Sequence, residues 1–151
     1  MHRITLSKIF LWFGDFFAFF SSFFIALVLL PLINNSHAIF PKGELDEYIF
    51  IHFVISLGCV CWFWTRLRHY TYRKPFWFEL KEILRTLVIF FVIELAIIAF
   101  SKLYVSRTLW MLTWFWAVFL VPLVRVSLKK LLLKLNLYQK DTIIIGSGRN
   151  A

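Results

Sequence analysis

Glycine and proline are scarce in this sequence, five and four among 151 residues. That excludes collagen-like chains and low-complexity disordered chains, which use those residues in bulk. Acidic residues are few as well. Eight Asp and Glu stand against seventeen Lys and Arg, a formal charge of +9. Only two cysteines occur, Cys59 and Cys61. At i and i+2 on a helix they point to different sides, so they cannot bridge each other. No further cysteine or suitably spaced histidine supports a C-x-C metal site, and both are read as small buried hydrophobes. His52 is a lone histidine in an apolar run, with no second ligand at metal spacing, and no metal is expected there.

What is abundant is apolar surface. The chain is 61% hydrophobic and 21% aromatic, with a mean hydropathy of +0.78. The excess lies in long runs, which is the pattern of membrane spans rather than of a large core. Four runs are long enough to cross about 30 Å of hydrocarbon at about 1.5 Å per residue. They cover about residues 9–30, 48–65, 86–104 and 109–125. The last is the shortest, and Arg125 is expected to extend it by snorkelling. Trp62, Trp64, Trp110, Trp114 and Trp116 fall near span ends, where amphipathic rings favour the interface. A cleaved signal peptide is not expected. The first run is about twice the usual signal core, and Asp15 interrupts it. Asn34-Asn35-Ser36 is a formal glycosylation sequon, read as a chance match.

Lys and Arg set the orientation. Arg3 and Lys8 precede span one, and six cations flank the loop between spans two and three. Six more follow span four, which puts fourteen of the seventeen on one side. Lys42, Lys102 and Arg107 make up the other side. The positive-inside rule then places both termini in the cytoplasm.

The loop "RLRHYTYRKPFWFELKEILR", residues 66–85, is the most distinctive stretch. Pro75 is well placed to start a helix. Phe76, Leu80, Ile83 and Leu84 then fall on one face, which predicts an amphipathic helix along the membrane that runs into span three. Arg66, Arg68, Arg73 and Lys74 cluster before it, with Tyr70, Tyr72, Trp77 and Phe78 interleaved. Basic and aromatic residues together can bind single-stranded nucleic acid. So close to embedded helices, lipid phosphate is the nearer ligand, and these four cations are the candidate lipid or phosphate contacts. His69 is read as interfacial. Structural anchoring at the interface is the first reading of the cluster, and binding of a specific phosphate-bearing lipid or nucleotide is the alternative.

The stretch "WFWTRLRHYTYRKPFWFELKEILRTLVIF" resembles the N-terminal membrane region of the large bacterial polyprenyl-phosphate sugar-1-phosphate transferases. Within that family it is most similar to the undecaprenyl-phosphate galactose phosphotransferases. The resemblance extends to Asp15 in span one, Glu94 in span three, the "LVPLVR" end of span four and the final "TIIIGSGRNA". It implies a four-helix membrane domain, then a nucleotide-binding-like domain, then a catalytic domain with an Asp-Glu pair. That last part uses Mg²⁺ to move sugar phosphate from a UDP-sugar to undecaprenyl phosphate at the start of O-antigen synthesis. No Asp-Glu pair is present here, so no catalytic residue is carried over.

Asp15 lies near one leaflet and Glu94 near the middle of span three. An ionised acid at such depth costs roughly 3 kcal/mol on insertion scales. Both should face the bundle as polar pins, with Glu94 protonated. Ser21, Ser22, Ser56 and Thr113 are the partner candidates. An ion path is the competing reading, but the sequence has no inverted repeat or broken span to support one.

Past Arg125, "VSLKKLLLKLNLYQK" places Leu128, Leu131, Leu132 and Leu135 on one arc and the lysines away from it. Span four should continue as a cationic helix into the headgroups. "TIIIGSGRNA" then has the form of the first strand and turn of a nucleotide-binding fold, with Gly146 and Gly148 at the turn. No second strand or helix follows, so residues 139–151 are expected to be a truncated start with no cofactor bound.

The expected architecture is therefore an all-α, four-span membrane domain over residues 1–138. Its expected location is the bacterial inner membrane, and its expected role is to anchor and assemble a phosphoglycosyl transferase. No transferase activity is expected of the chain itself. The alternative is a stand-alone membrane scaffold or modulator of polysaccharide assembly. Partners are a bilayer with anionic headgroups and, as the resemblance implies, undecaprenyl phosphate. A homo-oligomer fits the reading, and nucleic acid does not.

Overall fold

The computed structural model describes residues 2–33, 44–70, 74–101, 106–135 and 137. Arg73, the Asn34 sequon, and residues 139–151 with Gly146 and Gly148 lie outside the described residues. Four helices follow one another: α1 (His2–Ile33), α2 (Glu44–Thr65), α3 (Phe76–Ser101) and α4 (Arg107–Lys134). All four are long and apolar enough to cross a membrane. The described part is all-helical, as the hydropathy predicts.

The helices form a ring in which each packs on its chain neighbours and α4 closes back on α1. The α1–α4 seam is the most extensive. Gly14 is one reason. A Cβ there would overlap Leu128 Cδ1 on α4, so the missing side chain lets the two backbones approach. The core is aromatic and aliphatic, with Phe19, Phe23, Tyr48, Phe63, Leu109 and Val121 fully buried.

The amphipathic helix after span two runs into span three as expected, and the difference is that no boundary separates the two. Segment 76–85 forms the first turns of α3 and runs unbroken into the apolar span, because nothing between Leu80 and Val88 interrupts helical hydrogen bonding. Glu79 N–H bonds Pro75 O at 3.0 Å, so the helix starts where the proline directs it. Span four and the basic segment are likewise one helix, as expected. Ser106 caps it, its hydroxyl accepting from Leu109 N at 3.5 Å. Of the leucine arc beyond Arg125, Leu132 is buried while Leu131 and Leu135 are exposed. The bundle therefore covers a narrower stripe than the wheel suggests.

The end of α2 matters for the site. Arg68 adopts a left-handed conformation (φ 51°), which is uncommon for a residue with a Cβ. That residue turns the chain, and His69 N–H bonds back to Phe63 O at 3.1 Å. The turn carries His69 and Tyr70 beneath the bundle instead of out into the headgroups.

Candidate functional site

A buried ionic cluster occupies the end of the bundle where α2 passes into α3. Its centre is Arg125 of α4, only 2% exposed. Nε donates to Asp15 Oδ1 at 3.1 Å, and Nη2 donates to Oδ2 of the same carboxylate. This is the fork geometry that suits guanidinium and carboxylate. Tyr70 O–H donates to Asp15 Oδ2 at 2.7 Å. Nη1 reaches His69 Nδ1 at 2.6 Å and Glu79 Oε1 at 3.5 Å. The guanidinium carbon also lies 4.8 Å from the Phe63 ring centre and 5.4 Å from that of Tyr70, within cation–π range.

The hydrogen-bond direction fixes the His69 tautomer. Arginine has no acceptor, so Nδ1 must accept and the proton sits on Nε2. Nε2 then donates to Glu82 Oε2 at 2.6 Å. Burial, reinforced by the Arg125 charge, lowers the His69 pKa to about 4, so the ring is neutral at pH 7. Burial and the neighbouring Asp15 carboxylate raise the Tyr70 phenol above its ordinary value. Lys74 binds Glu82 at 2.8 and 2.5 Å, and Lys129 pairs with Glu79. The cluster thus joins α1, the α2–α3 connection, α3 and α4.

A second polar group lies deeper. Glu94 of α3 is fully buried, with Trp114 Nε1 donating to Oε2 at 2.6 Å and His52 Nδ1 at 3.0 Å from Oε1. His52 Nε2 faces Phe19 O at 3.4 Å, and a carbonyl can only accept, so Nε2 carries a proton. The Phe19 ring stacks on His52 at 5.3 Å and meets Trp114 edge-on at 5.2 Å. All four helices meet here too.

Several sequence expectations change. Arg125 does not snorkel towards lipid: Asp15 holds it inside, where its charge is compensated. His69 is buried at 3% rather than interfacial. Its position follows from the left-handed turn at Arg68, which carries no signal in the sequence. His52 is not a lone residue, because Glu94 sits across from it. Ser21, Ser22, Ser56 and Thr113 do not reach Glu94. Each hydroxyl donates to a carbonyl of its own helix, a local bond that outcompetes a distant partner. Trp110 and Trp114 turn inward and are buried, while Trp62 and Trp64 stay exposed. Cys59 is buried but Cys61 is exposed, since i+2 lies on another face. Asp15 and Glu94 do face the bundle.

Of the candidate lipid contacts, Arg66 and Arg68 are exposed on the turn, while Lys74 is half-buried against Glu82. Sequence reasoning missed Glu79, which is not among the apolar positions Phe76, Leu80, Ile83 and Leu84. The helical wheel does not show that Glu79 turns towards Arg125.

Among the described residues, the charged side chains of the two clusters pair with one another inside the bundle. The arrangement can fix four helices and carry charge to one end. It defines a polytopic helical membrane domain tied by internal ion pairs.

No protein-family model matches the chain. Relatives do. It is 53% identical, over its full length, to an uncharacterized sugar transferase of Haemophilus influenzae, covering 32% of that protein. It is 48% identical over 97% of its length to the undecaprenyl-phosphate galactose phosphotransferase of Salmonella typhimurium, covering 31% of it. A UDP-galactose-lipid carrier transferase of Erwinia amylovora is 53% identical over 74% of the chain. Over the stretch it matches the chain is similar to these bacterial sugar transferases, and it spans a third or less of the length of the curated relatives it matches.

Proposed function

We infer that this chain is the membrane domain of a phosphoglycosyl transferase, which holds a catalytic part against the bilayer where its lipid substrate lies. The observation that carries this is the match of the whole chain, at 53% identity, to about a third of a sugar transferase. The four membrane-capable helices make the shared part a membrane part. In this reading the parent protein transfers galactose phosphate to undecaprenyl phosphate, and residues 1–151 contribute no catalytic group.

The orientation belongs to the same proposal. The inner membrane is the site, and both termini face the cytoplasm because fourteen of seventeen cations lie on that side. The ionic cluster then sits at the cytoplasmic end, with the first turns of α3 at the headgroup level. Phe76, Trp77 and Phe78, each half or more exposed, support that depth. Arg66 and Arg68 face anionic headgroups there. The boundary falls near residue 138, and "TIIIGSGRNA" opens a nucleotide-binding-like domain.

A chimera tests the proposal. The matched third of the Salmonella relative is replaced by this chain, and transfer of galactose phosphate to undecaprenyl phosphate is measured in membranes. The expected result is transfer by the chimera and none by residues 1–151 alone. A chimera that inserts stably but does not transfer, or transfer by the isolated chain, overturns it.

A further inference from the structure

The seam between α3 and α4 is the least packed of the four. Three adjoining cavities of about 200, 470 and 380 Å³ run along it. Phe76, Leu80, Pro122 and Val126 line both the first and the second, and Val118 and Phe119 line both the second and the third. They therefore form one continuous groove. Its inner two-thirds is apolar and open sideways, with Val88, Met111 and Phe119 all more than half exposed. The other end is charged, lined by Lys74, Glu79, Arg125, Lys129 and Lys130.

Charge and length define what fits. Among the described residues, four cations (Lys74, Arg125, Lys129, Lys130) and three acids (Asp15, Glu79, Glu82) stand around the charged end, with His69 neutral. One positive charge is left over. Among the described residues only Lys130 of these cations has no acidic partner, and it is exposed. From Lys130 to Phe115 the groove follows α4 for about 22 Å at 1.5 Å per residue. That matches one leaflet, half of the 40–45 Å bilayer with its headgroups.

We propose that the α3–α4 groove is a site for one anionic glycerophospholipid, its phosphodiester on Lys130 beside Lys129 and an acyl chain along Val126, Phe119, Val118 and Phe115. A phosphodiester carries a single negative charge, which the surplus cation balances. A phosphomonoester carries about 1.5 to 2 at pH 7 and would exceed it. The site rests on the membrane-domain reading above and adds a structural lipid to it.

Native mass spectrometry of the chain released from nanodiscs of mixed phosphatidylethanolamine and phosphatidylglycerol tests this. The chain should retain phosphatidylglycerol in preference to phosphatidylethanolamine. Lys130→Ala should lower that retention about fivefold, the worth of one lysine at an anionic surface. Lys134→Ala removes the same charge outside the groove and should leave retention unchanged. Val118→Trp fills the groove and should displace the lipid, with helical content by circular dichroism showing that the bundle is intact. Equal loss with Lys134→Ala would mean diffuse attraction and overturn the site. So would preferential retention of a polyprenyl monophosphate added at equal amount. A Val118→Trp variant that loses a dimer and keeps its lipid would make a second copy the occupant. If the chain fails to enter nanodiscs at all, the membrane-domain reading falls instead.

Discussion

Arg125 and Asp15, 110 residues apart in sequence, meet inside the bundle as a forked ion pair with neither side chain more than 3% exposed. The pair closes the ring by joining the first helix to the last. A buried pair adds little net stability over a hydrophobic one, but breaking it strands a charge.

Asp15→Leu and Arg125→Leu should each destabilise the bundle by about 3–5 kcal/mol. The double variant Asp15→Leu/Arg125→Met should recover most of that loss, since no charge is left uncompensated. Lys74→Ala removes a pair at the water-reached rim of the cluster and should cost less than either single leucine variant, about 1 kcal/mol. Unfolding titrations in mixed detergent measure all four. Equal losses from Lys74→Ala and Arg125→Leu would contradict the ranking.

The deeper cluster should behave as a coupled unit. Glu94→Gln keeps an acceptor for Trp114 and should be the mildest change, whereas Glu94→Leu orphans both the indole N–H and His52. A double-mutant cycle between His52→Phe and Glu94→Leu should show a coupling of about 0.6 to 1.7 kcal/mol, the range of buried membrane hydrogen bonds. Additive losses would mean that the two side chains do not interact.

His69 makes stability depend on pH in a defined direction. Its pKa is about 4 in the folded chain against 6.5 for a free histidine. Between those values the unfolded chain binds the extra proton, so stability falls as pH drops from 6.5 towards 4 and is unaffected by this group above 6.5. Nitrogen-15 NMR should show a neutral ring protonated on Nε2 at pH 6, where a free histidine is mostly charged, with the second proton binding only as the pH nears 4. His69→Asn, which can still accept from Arg125 and donate to Glu82, should flatten this part of the slope. A ring that titrates near 6.5 would contradict its buried position.

The helices were legible from hydropathy because each span carries its own length and composition. Asp15 and Glu94 were legible as inward-facing because an unpaired acid facing lipid is costly. Their partners were not. Arg125 looks like any cation at a span end, and only the α1–α4 seam, opened by Gly14, brings it to Asp15. His69 depends on one left-handed residue, Arg68, which local propensity would not select. Glu79 and Trp114 face inward because of helix rotation, which a single amphipathic wheel does not set when lipid and core are equally apolar.

The most direct measurement is a pair of reporter fusions joined after residue 151. One carries green fluorescent protein, active only in the cytoplasm, and the other alkaline phosphatase, active only outside it. A domain that anchors a cytoplasmic catalytic part predicts a fluorescent first fusion and an inactive second, both resisting alkaline extraction from membranes. An active phosphatase fusion, or extraction by alkali, would contradict it.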